Sequence, residues 1–240
     1  MIKKEGHRHP ITATIAEIND IFSRIGFSLA EGPEMEKELY NFDRLNVAKD
    51  HPSRDMQDTF WLKDEYVNEP TVLRTHTSPV QARYMDSHKP PIRIIVPGKV
   101  FRNEATDATH EAQFYQLEGL CVDENINLGH LKGVLEYFFS NFLKGEVEVR
   151  FRPSYFPFVE PGLEVDMRLL SGESKLKGKW VEIFGAGMVH PNVLRESGID
   201  TEKYTGYAFG GGIDRLIMIK YGIDDVRNLY TGDLRLVNQF

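Results

Sequence analysis

Four runs in which apolar and polar residues alternate constrain the fold more than anything else in this chain. They are PIRIIVPGKVFRNE (Pro91–Glu104), FYQLEGLCV (Phe114–Val122), EVEVRFR (Glu146–Arg152) and WVEIF (Trp180–Phe184). A period of two marks strands whose side chains point alternately to two faces. The first two runs are separated only by a polar loop, so they read as a hairpin. Strands that follow one another without a helix between each pair do not wind into a parallel sheet. They predict a largely antiparallel sheet flanked by helices, an α+β fold.

Two helices with apolar periodicity accompany the strands. Pro10 precedes Ile11, Ile15, Ile18, Phe22 and Ile25, spaced by four, three, four and three, with Gly26 as a stop. The second runs from Leu128 to Leu143, with Leu131, Leu135, Phe138 and Phe142 on one face and Gly145 as the expected cap. With 240 residues, 41% apolar side chains and 15 Phe, the chain has enough apolar material for a full core. No repeat or low-complexity linker interrupts it, which predicts one domain over residues 1–240.

The single cysteine, Cys121, excludes a disulfide framework and a Cys-built zinc site. The first thirty residues contain no long apolar run, so a cytoplasmic protein without membrane contact is expected. The net charge of −7 is the wrong sign for gripping nucleic acid by phosphate neutralisation alone, so any RNA contact must be local or shared with a partner.

The usual nucleotide motifs are missing: there is no GxxxxGK[ST], and no GxGxxG opens an early helix. One glycine-rich stretch does exist, GYAFGGGIDRLIMIKYG (Gly206–Gly222). A short strand, three glycines and a helix opening on Asp214 and Arg215 would let backbone approach a ligand closely. A cation is disfavoured at a helix N-terminus, so Arg215 at this place suggests an anionic ligand beside it.

Taken in order, three stretches resemble motifs 1, 2 and 3 of the class II aminoacyl-tRNA synthetases. These are the helix after His9-Pro10-Ile11 leading to Glu31-Gly32-Pro33-Glu34, the FRNE of Phe101–Glu104, and the glycine-rich strand and helix ending in Arg215. The intervening NFD (Asn41–Asp43), DTFW (Asp58–Trp61), RTHTS (Arg74–Ser78), QLEG (Gln116–Gly119), RPSYFPF (Arg152–Phe158), GMVHPNV (Gly187–Val193) and DLR (Asp233–Arg235) narrow the likeness to the alpha subunits of the bacterial phenylalanyl-tRNA synthetases.

That resemblance implies ATP-dependent activation of L-phenylalanine and its transfer to tRNA(Phe), a ligase reaction with ATP as substrate and Mg²⁺ as cofactor. Arg102 would hold the α-phosphate, and Glu104, expected on the same strand face, would orient it or accept from the adenine amino group. Phe114 and Arg215 would flank the nucleotide, and Glu182 would help to hold Mg²⁺. Phe156 and Phe158, expected on one side of an extended segment, would read the substrate ring with Val159 and Ala208. Gln116, Glu118, Ser78 and His76 would receive the α-amino group. Glu160 resembles a carboxylate that shares a second Mg²⁺ with the beta subunit. A plain ion pair between Arg102 and Glu118 is the structural alternative for the hairpin charges.

Relatives of this kind assemble as heterotetramers of two alpha and two beta subunits, and the chain alone is expected to form a homodimer or to aggregate. They also carry a coiled-coil arm ahead of motif 1, whereas this sequence starts six residues before His7, so a catalytic core lacking the arm is expected. Two rival readings remain: a class II-like ligase acting on a non-tRNA acceptor, and a non-catalytic regulatory paralogue. The regulator should have lost an ATP-binding arginine or the glycine run, and both are intact.

Overall fold

The computed structural model describes residues 6, 8–54, 58–171 and 177–240. Helix α1 (Pro10–Ser23) begins where Pro10 fixes the first turn and His9 Nδ1 accepts from the Ile11 N–H at 3.2 Å; it ends three residues before Gly26, whose φ of +83° turns the chain. A two-residue strand, β1 (Ser28–Leu29), follows. A separate two-stranded antiparallel sheet pairs β2 (Met35–Lys37) with β3 (Thr71–Leu73); among the described residues between them stand the short α2 (Glu38–Asn41) and single-turn 3-10 helices at Asp43–Leu45, Pro52–Arg54 and Asp64–Tyr66.

The main sheet is completed by β4 (Ile92–Phe101), β5 (Gln113–Asp123), β6 (Val147–Phe156), β7 (Val159–Leu169), β8 (Trp180–Val189) and β9 (Thr205–Gly212). Its order is β1-β4-β5-β9-β8-β7-β6; β1 lies parallel to β4, and every other pair is antiparallel. This is the α+β fold that the alternating runs predict. The sequence reading passed over β7, whose VEPGLEVDMRL mixes buried and exposed residues without clean alternation because its register slips near Val159 and Val165.

Helices α4 (Leu128–Leu143) and α6 (Ile213–Tyr221) join α1 on one face of the sheet. Aromatic rings fill the layer between: Phe22 stacks on Phe138 at 4.9 Å and on Phe209 at 5.6 Å. The cap of α4 differs from the expectation. Lys144, not Gly145, takes the left-handed conformation, and Gly145 is needed because a Cβ there would lie 2.5 Å from the Ser171 carbonyl oxygen.

The second face of the sheet is less completely covered. Helices α3 (Ser78–Ser87) and α5 (Pro191–Glu196) cover part of it over Val80, Met85, Leu120, Val122 and Val193, and leave the rest open. Along β5 and β9 the period of two sends Leu117, Tyr207 and Phe209 to the closed core and Gln116, Glu118, Ala208 and Gly210 to the open side. Among the described residues no helix is long and apolar enough to cross a membrane.

Candidate active site

A cavity of about 730 Å³ occupies the open side of the sheet, within the range of small-ligand sites. Its floor is formed by β5, β9 and β8. One wall is the start of α3; the other is the irregular segment after α2, which contributes Phe42, Leu45, Val47 and His51.

At one end lie aromatic rings. Phe156 and Phe158 face each other at 6.0 Å and 21° between planes, and Val159 and Ala208 complete the lining. They do not share an extended segment as the sequence suggested. Phe156 ends β6, Phe158 belongs to the turn into β7, and Phe156 pairs with Val159 across it, so the chain reversal rather than strand alternation brings the rings together. Room for the first ring depends on Gly185, where a Cβ would stand 2.9 Å from Phe156 Cζ.

The middle of the cavity is polar and buried. Glu118, only 4% exposed, accepts from Gln81 Nε2 at 2.8 Å and from Gln116 Nε2 at 2.6 Å. Burial pushes its carboxyl up to about 7; Ser78, the N–H groups of Thr77 and Ser78, and the Arg74 guanidinium oppose that rise. Among the described residues Gln116 Oε1 is buried without a hydrogen-bond partner, although the residue itself lines the cavity. Beside it His76 packs against Phe158 at 6.2 Å between ring centres; burial, and then the positive field of Arg102, push its pKa down to about 3 and keep the ring neutral. Gln81 was absent from the sequence reading. It lies three residues after Ser78 on α3, so the helical i,i+3 spacing was the available signal.

The far end carries the charges. Arg102 rests over the Phe114 ring at 5.1 Å and donates from Nε to the Thr75 carbonyl at 3.2 Å; its burial lowers the guanidinium pKa, and Glu104 and Glu118 offset this. Among the described residues Arg102 forms no ion pair, so the Arg102–Glu118 salt bridge weighed as an alternative is not formed. Glu104 lines the same cavity but is not on the strand face with Arg102: the β4–β5 ladder ends at Phe101 opposite Gln113, and the Glu104 N–H turns back to the Arg102 carbonyl at 2.9 Å. Glu182 is half-exposed and paired with Arg152 at 2.7 Å. Arg152 also holds Glu164 at 2.7 Å and the buried Asp166 at 2.8 Å, a hub that the sequence did not reveal.

Arg215 stands at the rim, exposed, with its Nε on the Glu182 carbonyl oxygen at 3.0 Å. Its neighbour Asp214 is instead buried, accepting from the Tyr115 N–H at 2.7 Å and from the Tyr230 hydroxyl, and thereby joins β5, α6 and the C-terminal segment. The structure thus gathers Ser78, His76, Gln116, Glu118, Phe156, Phe158, Val159, Ala208, Arg102, Glu104, Phe114 and Glu182 around one cavity, with Arg215 at its edge. Glu160 is separate: its exposed carboxylate meets His190 Nε2 at 3.3 Å.

Residues 2–240 match the family described as "tRNA synthetases class II core domain (F)". The phenylalanine–tRNA ligase alpha subunit of Alkaliphilus metalliredigens (strain QYMF) is 55% identical over 98% of this chain and 69% of its own length. The chain belongs to the phenylalanine-type class II tRNA synthetase core family. A second relative in this family, the phenylalanine–tRNA ligase alpha subunit of Anoxybacillus flavithermus (strain DSM 21510 / WK1), is 52% identical over 99% of this chain and 70% of its own. The pyrrolysyl-tRNA synthetase of Desulfitobacterium hafniense superposes with a TM-score of 0.71 at 18% identity, covering 94% of this chain and 74% of that one. At that identity the likeness shows the class II fold alone.

Proposed function

We propose that this chain is the catalytic subunit of a phenylalanine–tRNA ligase: it joins L-phenylalanine to the α-phosphate of ATP and then transfers the phenylalanyl group to tRNA(Phe). One observation carries the reading. A single cavity holds an aromatic end, a buried carboxylate beside a buried amide oxygen in its middle, and at its far end a partly buried arginine that forms no ion pair among the described residues, the order in which a ring, an ammonium and a carboxylate–phosphate junction follow one another in the reacting pair.

In the first step a carboxylate oxygen of phenylalanine attacks the α-phosphorus, and the bond to the leaving pyrophosphate breaks. Negative charge builds on the phosphoryl oxygens, and Arg102 waits there as a preorganised cation. Its contacts to Thr75 and Phe114 hold the guanidinium plane, so little reorganisation accompanies the reaction. Phe156 and Phe158 orient the ring, each aromatic contact contributing about 0.5–1.5 kcal/mol beyond burial. Ionised Glu118, Gln116 Oε1 and Ser78 receive the ammonium, which needs acceptors on several sides. In the second step a tRNA hydroxyl attacks the activated carbonyl and AMP departs. Positioning and charge stabilisation supply the rate, and no side-chain nucleophile is required.

Mg²⁺ would neutralise phosphate charge when bound. Glu182 fits such an ion, since Mg²⁺ is commonly held by one or two carboxylates together with substrate phosphates rather than by an all-protein cage. Among the described residues there is no cluster of three or more metal-binding side chains. Glu160, exposed at the start of β7, suits an ion completed by a beta subunit. We take the protein to be cytoplasmic and to work in a heterotetramer of two alpha and two beta subunits. One sheet drawing strands from Ser28 to Gly212 supports a single domain over residues 1–240.

Exchange of labelled pyrophosphate into ATP, with and without the beta subunit, tests the proposal. Dependence on phenylalanine is expected; exchange driven by another amino acid and not by phenylalanine would refute it.

A further inference from the structure

The turn that carries the ring end of the pocket lacks the chemistry to hold itself. Phe156 pairs with Val159, leaving Pro157 and Phe158 as a two-residue connection between β6 and β7. Such hairpins favour mirror-image turns, in which Gly or Asn adopts positive φ. Neither Pro157 nor Phe158 has positive φ, and the strand register is irregular just before the turn, between Ser154 and Phe156. Its shape therefore has to be set from outside.

Asn46 reaches it from the opposite wall of the cavity. Its Nδ2 donates to the Pro157 carbonyl at 2.7 Å, while its Oδ1 accepts from Asn192 Nδ2 at 2.9 Å. The chain of contacts continues: the Asn192 N–H donates to His190 Nδ1 at 3.1 Å, and the His190 N–H donates to the Phe158 carbonyl at 2.9 Å. Both carbonyls of the turn, one after each reversal residue, are thus held by side chain or backbone from elsewhere. Because His190 Nδ1 is an acceptor, its Nε2 carries the proton in the neutral ring and faces Glu160. Asn46 itself sits at φ 59°, ψ 22°, a left-handed position that Asn tolerates and most residues do not. It lies between Leu45 and Val47, which line the cavity from the wall side.

We propose that Asn46 is a positioning residue for amino-acid selection: together with Asn192 and His190 it fixes the Pro157–Phe158 turn, hence the mutual placement of the Phe156 and Phe158 rings, and ties that turn to the cavity wall. The proposal rests on the reading of these rings as the phenylalanine pocket. Nothing in it touches the nucleotide end, so its effect falls on the amino acid alone.

The left-handed backbone makes a clean test available, because Asn46→Gly keeps that conformation while removing both amide contacts. Asn46→Asp keeps the acceptor toward Asn192 and sets a carboxylate oxygen against the Pro157 carbonyl. Both variants, in the same assembly as the wild type, are assayed by pyrophosphate exchange with phenylalanine and tyrosine. Loss of two neutral hydrogen bonds gives an expected rise of about tenfold in KM for phenylalanine with Asn46→Gly, and at least as much with Asn46→Asp. KM for ATP should stay within about twofold, and the preference for phenylalanine over tyrosine should narrow. A purely structural role would lower Tm and leave that KM split and that preference unchanged, which would overturn the proposal. Asn192→Ala, which leaves the left-handed position alone, should move the same parameters in the same direction by a smaller factor if Asn46→Gly does not fold; no movement would equally overturn it. A wild type indifferent to phenylalanine overturns this proposal and the proposed function together, whereas a responsive wild type with unchanged variants overturns this one only.

Discussion

Replacing Glu118 with Gln should stabilise the ligand-free protein and cripple it at once. In the folded chain burial holds the Glu118 carboxyl at about 7, against 4.5 for an unhindered group. The folded state therefore binds more protons than the unfolded state between those values, so stability falls as pH rises through that interval and levels off above it. Once the group is ionised the cost is about 3 kcal/mol. For a chain of this length that amounts to about 6–12 °C in Tm. Glu118→Gln removes the charge, and Gln116 can turn its unpartnered Oε1 toward the new amide N–H, so the variant escapes this cost. Thermal unfolding of both proteins from pH 5 to pH 9 should give nearly equal Tm at pH 5, a variant advantage that grows through pH 7, and a constant gap above pH 8. Phenylalanine affinity should fall about 10–100-fold, since a charge-assisted bond to the ammonium is lost. A Tm difference that does not change with pH, or a variant less stable than wild type at pH 8, would refute the reasoning.

Three further outcomes follow from the geometry. Gly185→Ala places a methyl 2.9 Å from Phe156 Cζ, so the ring must shift; steady-state exchange should show KM for phenylalanine raised about tenfold with KM for ATP unchanged. Ala208→Gly removes a methyl from the ring end of the cavity and should admit p-chloro-phenylalanine while phenylalanine is still activated, read from exchange rates for both; an unchanged ratio would mean that Ala208 does not contact the ring. Helix α1 buries Ile11, Ile18, Ile21 and Phe22 inside its own chain, whereas Leu29, Met35 and Leu39 in the segment after it are exposed and available to a subunit interface. Light scattering on the chain alone should report a dimer, and a monodisperse monomer would count against that surface.

What could be read from the residues was whatever local periodicity and short motifs encode. Alternation along β4, β5 and β8 revealed the antiparallel sheet, because side chains of a strand must face two environments in turn. Spacings of three and four revealed α1 and α4 for the corresponding helical reason. The motif order from FRNE through QLEG and RPSYFPF to the glycine run named the family, and the resemblance it carried pointed to twelve of the residues that line the cavity. Where local rules gave out, the reading erred: β7 was lost to its register slips, Lys144 took the place expected of Gly145, and Glu104 left the strand face because the ladder stops at Phe101.

The rest depends on distances between residues far apart in the chain, which no window of sequence contains. Gln81 meets Glu118 across 37 positions, Asn46 meets Pro157 across 111, and the Phe156 and Phe158 rings face each other only because the chain reverses between them. The charge state of Glu118 belongs to the same class. A glutamate is ionised at neutral pH in an unfolded chain, and only when β5, α3 and β9 close around it, with Gly210 leaving 2.5 Å to the Glu118 Cγ where a Cβ would be, does loss of water lift its carboxyl to about 7. Residue types and their spacing therefore determined which fold and which family this chain has, whereas packing alone decided which carboxylate is desolvated, which arginine forms no ion pair among the described residues and which turn is held from across the cavity.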